Sequence, residues 1–311
     1  MTGAAARRGT VAALALVSAA ALTLTGCGDQ TGSGSSNEGS DSEAPLFSKL
    51  PADIQKSGVI KVGTDATYAP MEFKEGEKIV GVDPDIAAAL GKQLGVRFEF
   101  TSGTFDTLLT ALPTGRTDIA MSSITDTKAR QEGLDDKGQK TGNGVDFVDY
   151  FNAGSIVYVQ KGNPKKIASL ADLCGKTTAV QRGTTFETVA KTQSEACEKA
   201  GKPAVRIESF PTDAEAQTRV KSGGAAAGIN DYPVAAHLAR TAEGGNAFEI
   251  VGDQVDAGPF GIAVDKKNTQ LRDALKEALD AVILDGSYKK ALDKWGAGTG
   301  AVTSAEINGG S

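Results

Sequence analysis

The sequence predicts an α/β protein made of two similar lobes. Short β-branched or aromatic runs alternate with stretches of helical periodicity, and a second series of the same kind begins after Asn163-Pro164. A chain of 311 residues, 40% hydrophobic and 23% charged, can bury one large core or two moderate ones.

In the first series, Val59 to Val62 reads as a strand. Asp83-Pro84 reads as an N-cap followed by proline at the first helical position, opening a helix through Leu94 that Gly95 closes. Arg97 to Thr101 is a second strand, Phe105 to Leu112 a second helix and Asp118 to Ser122 a third strand. The segment Arg130 to Asp146, rich in Gly, Lys, Asp and Gln, reads as a surface insertion. The second series runs helix Ser169 to Leu173, strand Thr177 to Gln181, helix Thr185 to Lys199, strand Val205 to Ser209, helix Asp213 to Ser222 and strand Ala226 to Ile229. Further on, Leu271, Leu275, Ala278, Leu279, Val282 and Ile283 recur at helical spacing, so one face of that helix packs on a core.

The ends differ in composition. Arg7 and Arg8 precede an apolar run from Val11 to Leu24, the layout of an export signal, and the run is shorter than the ~20 residues that span a bilayer. It ends in Leu24-Thr25-Gly26-Cys27, which resembles the bacterial lipobox, whose cysteine is lipidated; the plain alternative is a secretory signal with an incidental cysteine. From Gly28 to about Ala44 the chain is nearly all small and polar, a composition that reads as a tether. Gly296 to Ser311 is again Gly-rich and is expected to fray. Lipidation of Cys27 leaves Cys174 and Cys197, an even remainder that outside the cytoplasm suggests a disulfide, against the alternative of two buried thiols.

The full chain carries a net charge of −6 with 33 basic and 39 acidic residues; without residues 1–26, which hold two arginines and no acid, 31 minus 39 gives −8. A basic stripe for nucleic acid is not expected. His237 is the one histidine, so neither a histidine-rich metal cluster nor a histidine-based triad is available, and no cofactor or metal is expected.

The ordered motifs carry a resemblance. Val62 to Phe73, which holds Asp65 and Tyr68 three residues apart, is followed by Gly81 to Ala87, Phe105 to Leu112, Gly115 to Ala120 and Ser122-Ser123-Ile124-Thr125-Asp126-Thr127-Lys128-Ala129-Arg130; then come Gln181-Arg182-Gly183-Thr184-Thr185, Asn230 to Ala235 and Phe260 to Val264. From about Val59 to Trp295 this series resembles the polar-amino-acid solute-binding proteins (family 3) of ATP-driven ABC importers, in lipoprotein form. The resemblance implies the two-lobed, type II periplasmic-binding-protein-like fold with a hinge of two crossings, near Ala153-Gly154 and Gln254 to Gly258. Its expected division is a signal over 1–26, a tether over 27–50, a first lobe over 51–153 plus 257–311 and a second over 154–256. It also implies that the helix after Leu271 packs on the first lobe.

Residue by residue, the resemblance gives Arg130 the ligand carboxylate, which suits its planar guanidinium. Ser123, Ile124 and Thr125 lie on the loop that meets the ligand's carboxylate and ammonium ends. Thr184 and Thr185 would offer backbone donors at a helix start, and Asp231 would pair with the ammonium. Tyr68 and Phe105 would sandwich the ligand side chain, with Asp65 at its polar tip, which favours a basic or amide amino acid. The plain alternatives are a solvated Arg130, a capping Asp231 before Pro233 and core aromatics at 68 and 105. Glu72 and Asp118 read as structural, and Trp295 as packing. The turn Ser222 to Gly228 departs from the family in lacking an acid before the strand that leads to Asp231.

The expected partners are an amino acid, an ABC permease and the outer face of the cell membrane through lipid on Cys27, with the protein a monomer and not an enzyme. The competing function is a cyclohexadienyl-type dehydratase on the same fold, which would need an acid or base in the pocket.

Overall fold

The computed structural model describes residues 41–311 apart from residue 136. The expected export signal, Cys27 and the expected tether up to residue 40 lie outside the described residues. Residues 41–50 of the expected tether are packed: Asp41 N–H donates to Gly95 O at 2.8 Å, Leu46 N–H to Gln93 O at 2.9 Å, and Leu50 is fully buried. Apolar Leu46, Phe47 and Leu50 give this stretch the burial that its polar neighbours lack.

Ala52–Ser57 (α1) ends on Gly58 in the left-handed region and leads into Val59–Thr64 (β1). Thr67–Tyr68 (β2), Glu72–Glu75 (β3) and Lys78–Val80 (β4) form a small antiparallel sheet. Val82–Leu94 (α2) follows, capped at its start by Gly81 rather than by Asp83. Gly81 has φ 135°, and a Cβ there would stand 2.2 Å from Met71 O, so the backbone passes too closely for a side chain. Asp83 is inside the first turn, fully buried, and accepts from Tyr150 Oη at 2.8 Å and Ser123 N–H at 3.1 Å. Arg97–Ser102 (β5) matches its expected position, and the helix expected over 105–112 is broken into 3₁₀ turns around Leu108–Ala111 (α3). Ile119–Ala120 (β6) is shorter than expected, because the chain leaves the sheet at Met121 to form the turn in which Ser123 takes φ 49°. Lys128–Glu132 (α4) is capped by Thr127 and closed by Gly133.

Val145–Gln160 (β7) and Phe248–Asp265 (β11) are long strands that pair antiparallel. Between them lie Thr177–Gln181 (β8), Thr185–Lys199 (α5), Arg206–Phe210 (β9), Asp213–Lys221 (α6), Ala227–Asp231 (β10) and Tyr232–Thr241 (α7). The β8–α5 and β9–α6 alternation follows the sequence reading closely. Ser169 caps the 3₁₀ turn Leu170–Leu173 with Asp172 as the reciprocal partner. Cys174 and Cys197 form a disulfide tying this turn to α5.

The sheet order is β5-β1-β6-β11-β7-β10-β8-β9. β1 runs parallel to β5 and β6, and β8 parallel to β9 and β10, so two parallel blocks flank the β7/β11 pair. This gives two lobes joined by two strands. The β7/β11 register breaks between Val251 and Val255 and again between Val255 and Gly258, opposite Ala153 and Ser155. Bulges bend and twist a paired strand locally.

Thr269–Leu284 (α8) buries Leu271, Leu275, Ala278, Leu279 and Val282 and packs on α2, as expected, and on Ser287–Trp295 (α9). Trp295 is a packing residue, edge-on to Phe73 at 5.5 Å with its Nε1 donating to Asp85 at 2.6 Å. The segment beyond Gly296 does not fray. Glu306–Ile307 (β12) pairs with Asp149 and Val148 on β7, and Asn308 Oδ1 accepts from Phe147 N–H at 2.8 Å. Among the described residues, no helix is long and apolar enough to cross a membrane.

Candidate ligand-binding site

Side chains at the C-terminal ends of parallel strands face the crevice of an open α/β sheet. Here four such ends converge: Asp65 follows β1, Ser122 and Ser123 follow β6, Gln181 ends β8 and Asp231 ends β10. They line a cavity with ≈310 Å³ of empty space, together with Tyr68, Glu72, Phe105, Thr125, Arg130, Thr184, Thr185 and Phe186.

The two lobes touch across this cavity. Gln181 Nε2 donates to Asp65 Oδ2 at 2.6 Å, and Tyr68 Oη donates to Asp231 Oδ2 at 2.7 Å and also meets Asn230 Oδ1. Arg130 spans the gap, with Nη1 on Thr125 O at 2.6 Å and Nη2 on Gly183 O at 3.0 Å. Thr125 Oγ1 and Thr185 Oγ1 lie 3.5 Å apart. Nearer the rim, Arg182 Nε reaches Asp106 Oδ2 at 2.8 Å. Thr184 is the N-cap position of the fifteen-residue α5, so the positive end of that helix faces the cavity.

The electrostatics are uneven. Arg130 is the one basic side chain in the lining, against Asp65, Glu72 and Asp231. Burial lowers the Arg130 guanidinium to about 10, opposed by Asp231 and Asp126, so it stays charged at neutral pH. Burial raises Asp231 to about 7, with the Tyr68 hydrogen bond and Arg130 pulling it down and Asp213 pushing it up. Burial also raises Asp65, against hydrogen bonds from Thr67, Gln181 and the backbone of Phe105. Glu72 is pushed well above the carboxylate range by burial and by Asp83, and accepts from Ser122 Oγ at 2.8 Å and Ser123 Oγ at 3.3 Å. Desolvated carboxylates in this state are stabilised by an arriving cation.

Nine of the ten residues expected to contact ligand line the cavity. Ile124 does not: its side chain is buried with Leu108, Leu112 and Phe147, and its carbonyl accepts from Gly261 N–H at 2.9 Å. In Phe105 one ring face holds the Arg130 guanidinium, 5.5 Å from the centroid, so it supports that cation as well as the cavity wall. Glu72, read as structural, is also part of the wall. Ser122, Gln181 and Phe186 line the cavity beyond the expected set, the first two within the motifs at strand ends. Asp118 is structural, accepting from Lys61 N–H at 2.7 Å.

Residues 60–298 match the bacterial extracellular solute-binding proteins, family 3. The chain belongs to this family. This solute-binding protein is similar to the arginine-binding protein ArgT of Corynebacterium glutamicum, with 31% identity over 261 residues, covering 83% of this chain and 81% of that protein. Among solved structures it is similar to an ancestral arginine-binding protein bound to arginine, with a TM-score of 0.66 and 36% identity over 76% of this chain and 98% of that one. It is also similar to an ancestral amino acid-binding protein, AncCDT-1, described as a precursor of cyclohexadienyl dehydratase, with a TM-score of 0.67 and 37% identity over 78% of this chain and 97% of that one.

Proposed function

We propose that this solute-binding protein captures a basic amino acid, arginine foremost, between its lobes and delivers it to the permease of an ABC importer. The observation that carries the reading is the charge of the cavity: one guanidinium and three buried acids on facing walls. A zwitterion with a cationic side chain supplies one negative and two positive groups. Its carboxylate pairs with Arg130 and the backbone donors near Thr185, its ammonium with Asp231, and its side-chain cation with Asp65 beside Glu72. The relatives named for arginine support the same choice.

The lobes divide in this reading into 51–153 plus 257–311 and 154–256. Bending at the register breaks of β7 and β11 opens and closes the cavity, driven by the ligand's higher affinity for the closed form. The protein acts as a monomer, held on the extracellular face of the membrane by lipid on Cys27 and a tether, a reading supported by Leu24-Thr25-Gly26-Cys27. It is a carrier without chemistry, and the likeness to AncCDT-1 agrees, since that ancestor is itself described as amino acid-binding. A thermal-shift screen of the twenty amino acids tests the reading. A ligand at 100 times its Kd stabilises the fold by about 2.7 kcal/mol, and arginine or lysine is expected to give the largest shift. A screen in which only apolar or acidic amino acids shift the transition would refute it.

A further inference from the structure

Arg130 sits on α4, five residues long, too short to hold an orientation by its own hydrogen bonds. Beyond its local caps, that turn is anchored by a distant part of the chain. Gln131, the next residue, is buried, and its Nε2 donates to Asp126 Oδ1 at 2.7 Å and to Gly310 O at 3.2 Å. Gly310 N–H completes a ring by donating to Asp126 Oδ2 at 2.8 Å. Asp126 lies between Thr125, whose carbonyl accepts from Arg130, and Thr127, which caps α4. Gly310 is itself buried, and a Cβ there would stand 2.1 Å from Asp126 O. The strand preceding it is fixed on β7, with Gly309 N–H on Asp149 Oδ2 at 2.9 Å and Asn308 Nδ2 on Asp146 Oδ1 at 3.0 Å. Gly310 does not line the cavity, so any effect it has on a ligand passes through the residues its ring holds, which adjoin Thr125 and Arg130.

We infer that Gly310, through its hydrogen-bonded ring with Asp126 and Gln131, is a positioning residue for Arg130, so that the segment after α9 sets the strength of the grip on the ligand carboxylate. The inference rests on the proposed binding of a basic amino acid. Its consequence is selective, because a displaced ring misaligns the guanidinium without touching Asp231 or Asp65, and a one-ångström misplacement is enough to cost a planar two-point contact most of its strength.

The test is calorimetric titration of wild-type protein, Gly310→Ala and Gln131→Leu with L-arginine and with L-argininamide, which keeps the side chain and α-amino group but has no carboxylate. The expected result is at least a tenfold loss of affinity for L-arginine in both variants and less than a twofold change for L-argininamide. Should Gly310→Ala fail to fold, Gln131→Leu, which removes the two ring bonds that Gln131 makes and leaves the Gly310–Asp126 bond, decides alone. Equal losses for the two ligands, or unchanged L-arginine affinity, would overturn the positioning role while leaving the proposed function standing. A wild-type protein that binds neither ligand would overturn the proposed function and this inference with it.

Discussion

Asp231→Asn separates the two roles of a buried acid, because it should weaken binding and strengthen the empty protein at once. Asp231 accepts from Tyr68 Oη at 2.7 Å, and an asparagine oxygen can take the same bond, so the wall keeps its shape. Burial holds the carboxyl near 7 against an ordinary value of 3.8. An acid raised in this way costs the folded state nothing below its ordinary value, and the cost grows as pH rises, reaching its full size above about 7. At pH 8 the difference amounts to as much as about 4 kcal/mol, which the asparagine removes. The liganded state responds the other way. Removing one partner of a buried charge pair costs about 2 to 5 kcal/mol, or roughly 30- to 5,000-fold in Kd. Urea unfolding of the unliganded proteins at pH 8, together with calorimetric titration with L-arginine, reads both effects. An unliganded variant less stable than wild type, or one that binds L-arginine within threefold of wild type, would refute the reasoning.

The remaining expectations concern protons, the disulfide and the rim. A ligand ammonium beside Asp231 pulls its carboxyl back down from about 7, so binding releases a proton and affinity falls as pH drops, by about 50-fold between pH 7 and pH 5. Titrations in buffers of different ionisation enthalpy should show that release at pH 7, and a pH-independent Kd would contradict it. Replacing Cys174 and Cys197 by serine opens a loop with a sequence separation of 23 residues, which should cost about 3 kcal/mol of unfolding free energy. Because the bridge lies outside the cavity, L-arginine affinity should stay within twofold. Arg182→Ala removes a half-exposed bond between the lobes; the expected loss of ligand affinity is at most about fivefold and should shrink in 1 M salt.

Much of the fold was legible because local chemistry and tertiary packing agree. Thr177 to Gln181 and Thr185 to Lys199 fall where a β-branched run gives way to a Gly-Thr turn, and the observed strand and helix share those limits. The long strands β7 and β11 were less visible, since Asn152-Ala153-Gly154 in one and Gly252, Gly258 and Pro259 in the other read as breaks, while cross-strand pairing carries the backbone through them. Asp83 carried the local signature of a helix cap, but burial against Tyr150 and Ser123 drew it inward.

The cavity wall was legible where residues sit at the ends of motifs, and hidden where partners are far apart in sequence. Glu72 looked structural because nothing local shows that Ser122 and Ser123, fifty residues on, turn their hydroxyls to it. The Gly-rich segment beyond Gly296 gave no sign of order, since the partners of its backbone N–H groups are far away in sequence, Asp149 for Gly309 and Asp126 for Gly310. Ile124 lay between two cavity residues in the motif, and the alternation of the turn sends its side chain into the core instead.

Crystallising the protein with L-arginine tests the central claim most directly. The predicted density shows one amino acid with its carboxylate on the Arg130 guanidinium, its ammonium on Asp231 and its own guanidinium toward Asp65. A cavity left empty at saturating L-arginine, or a ligand whose carboxylate faces Asp231, would contradict the account.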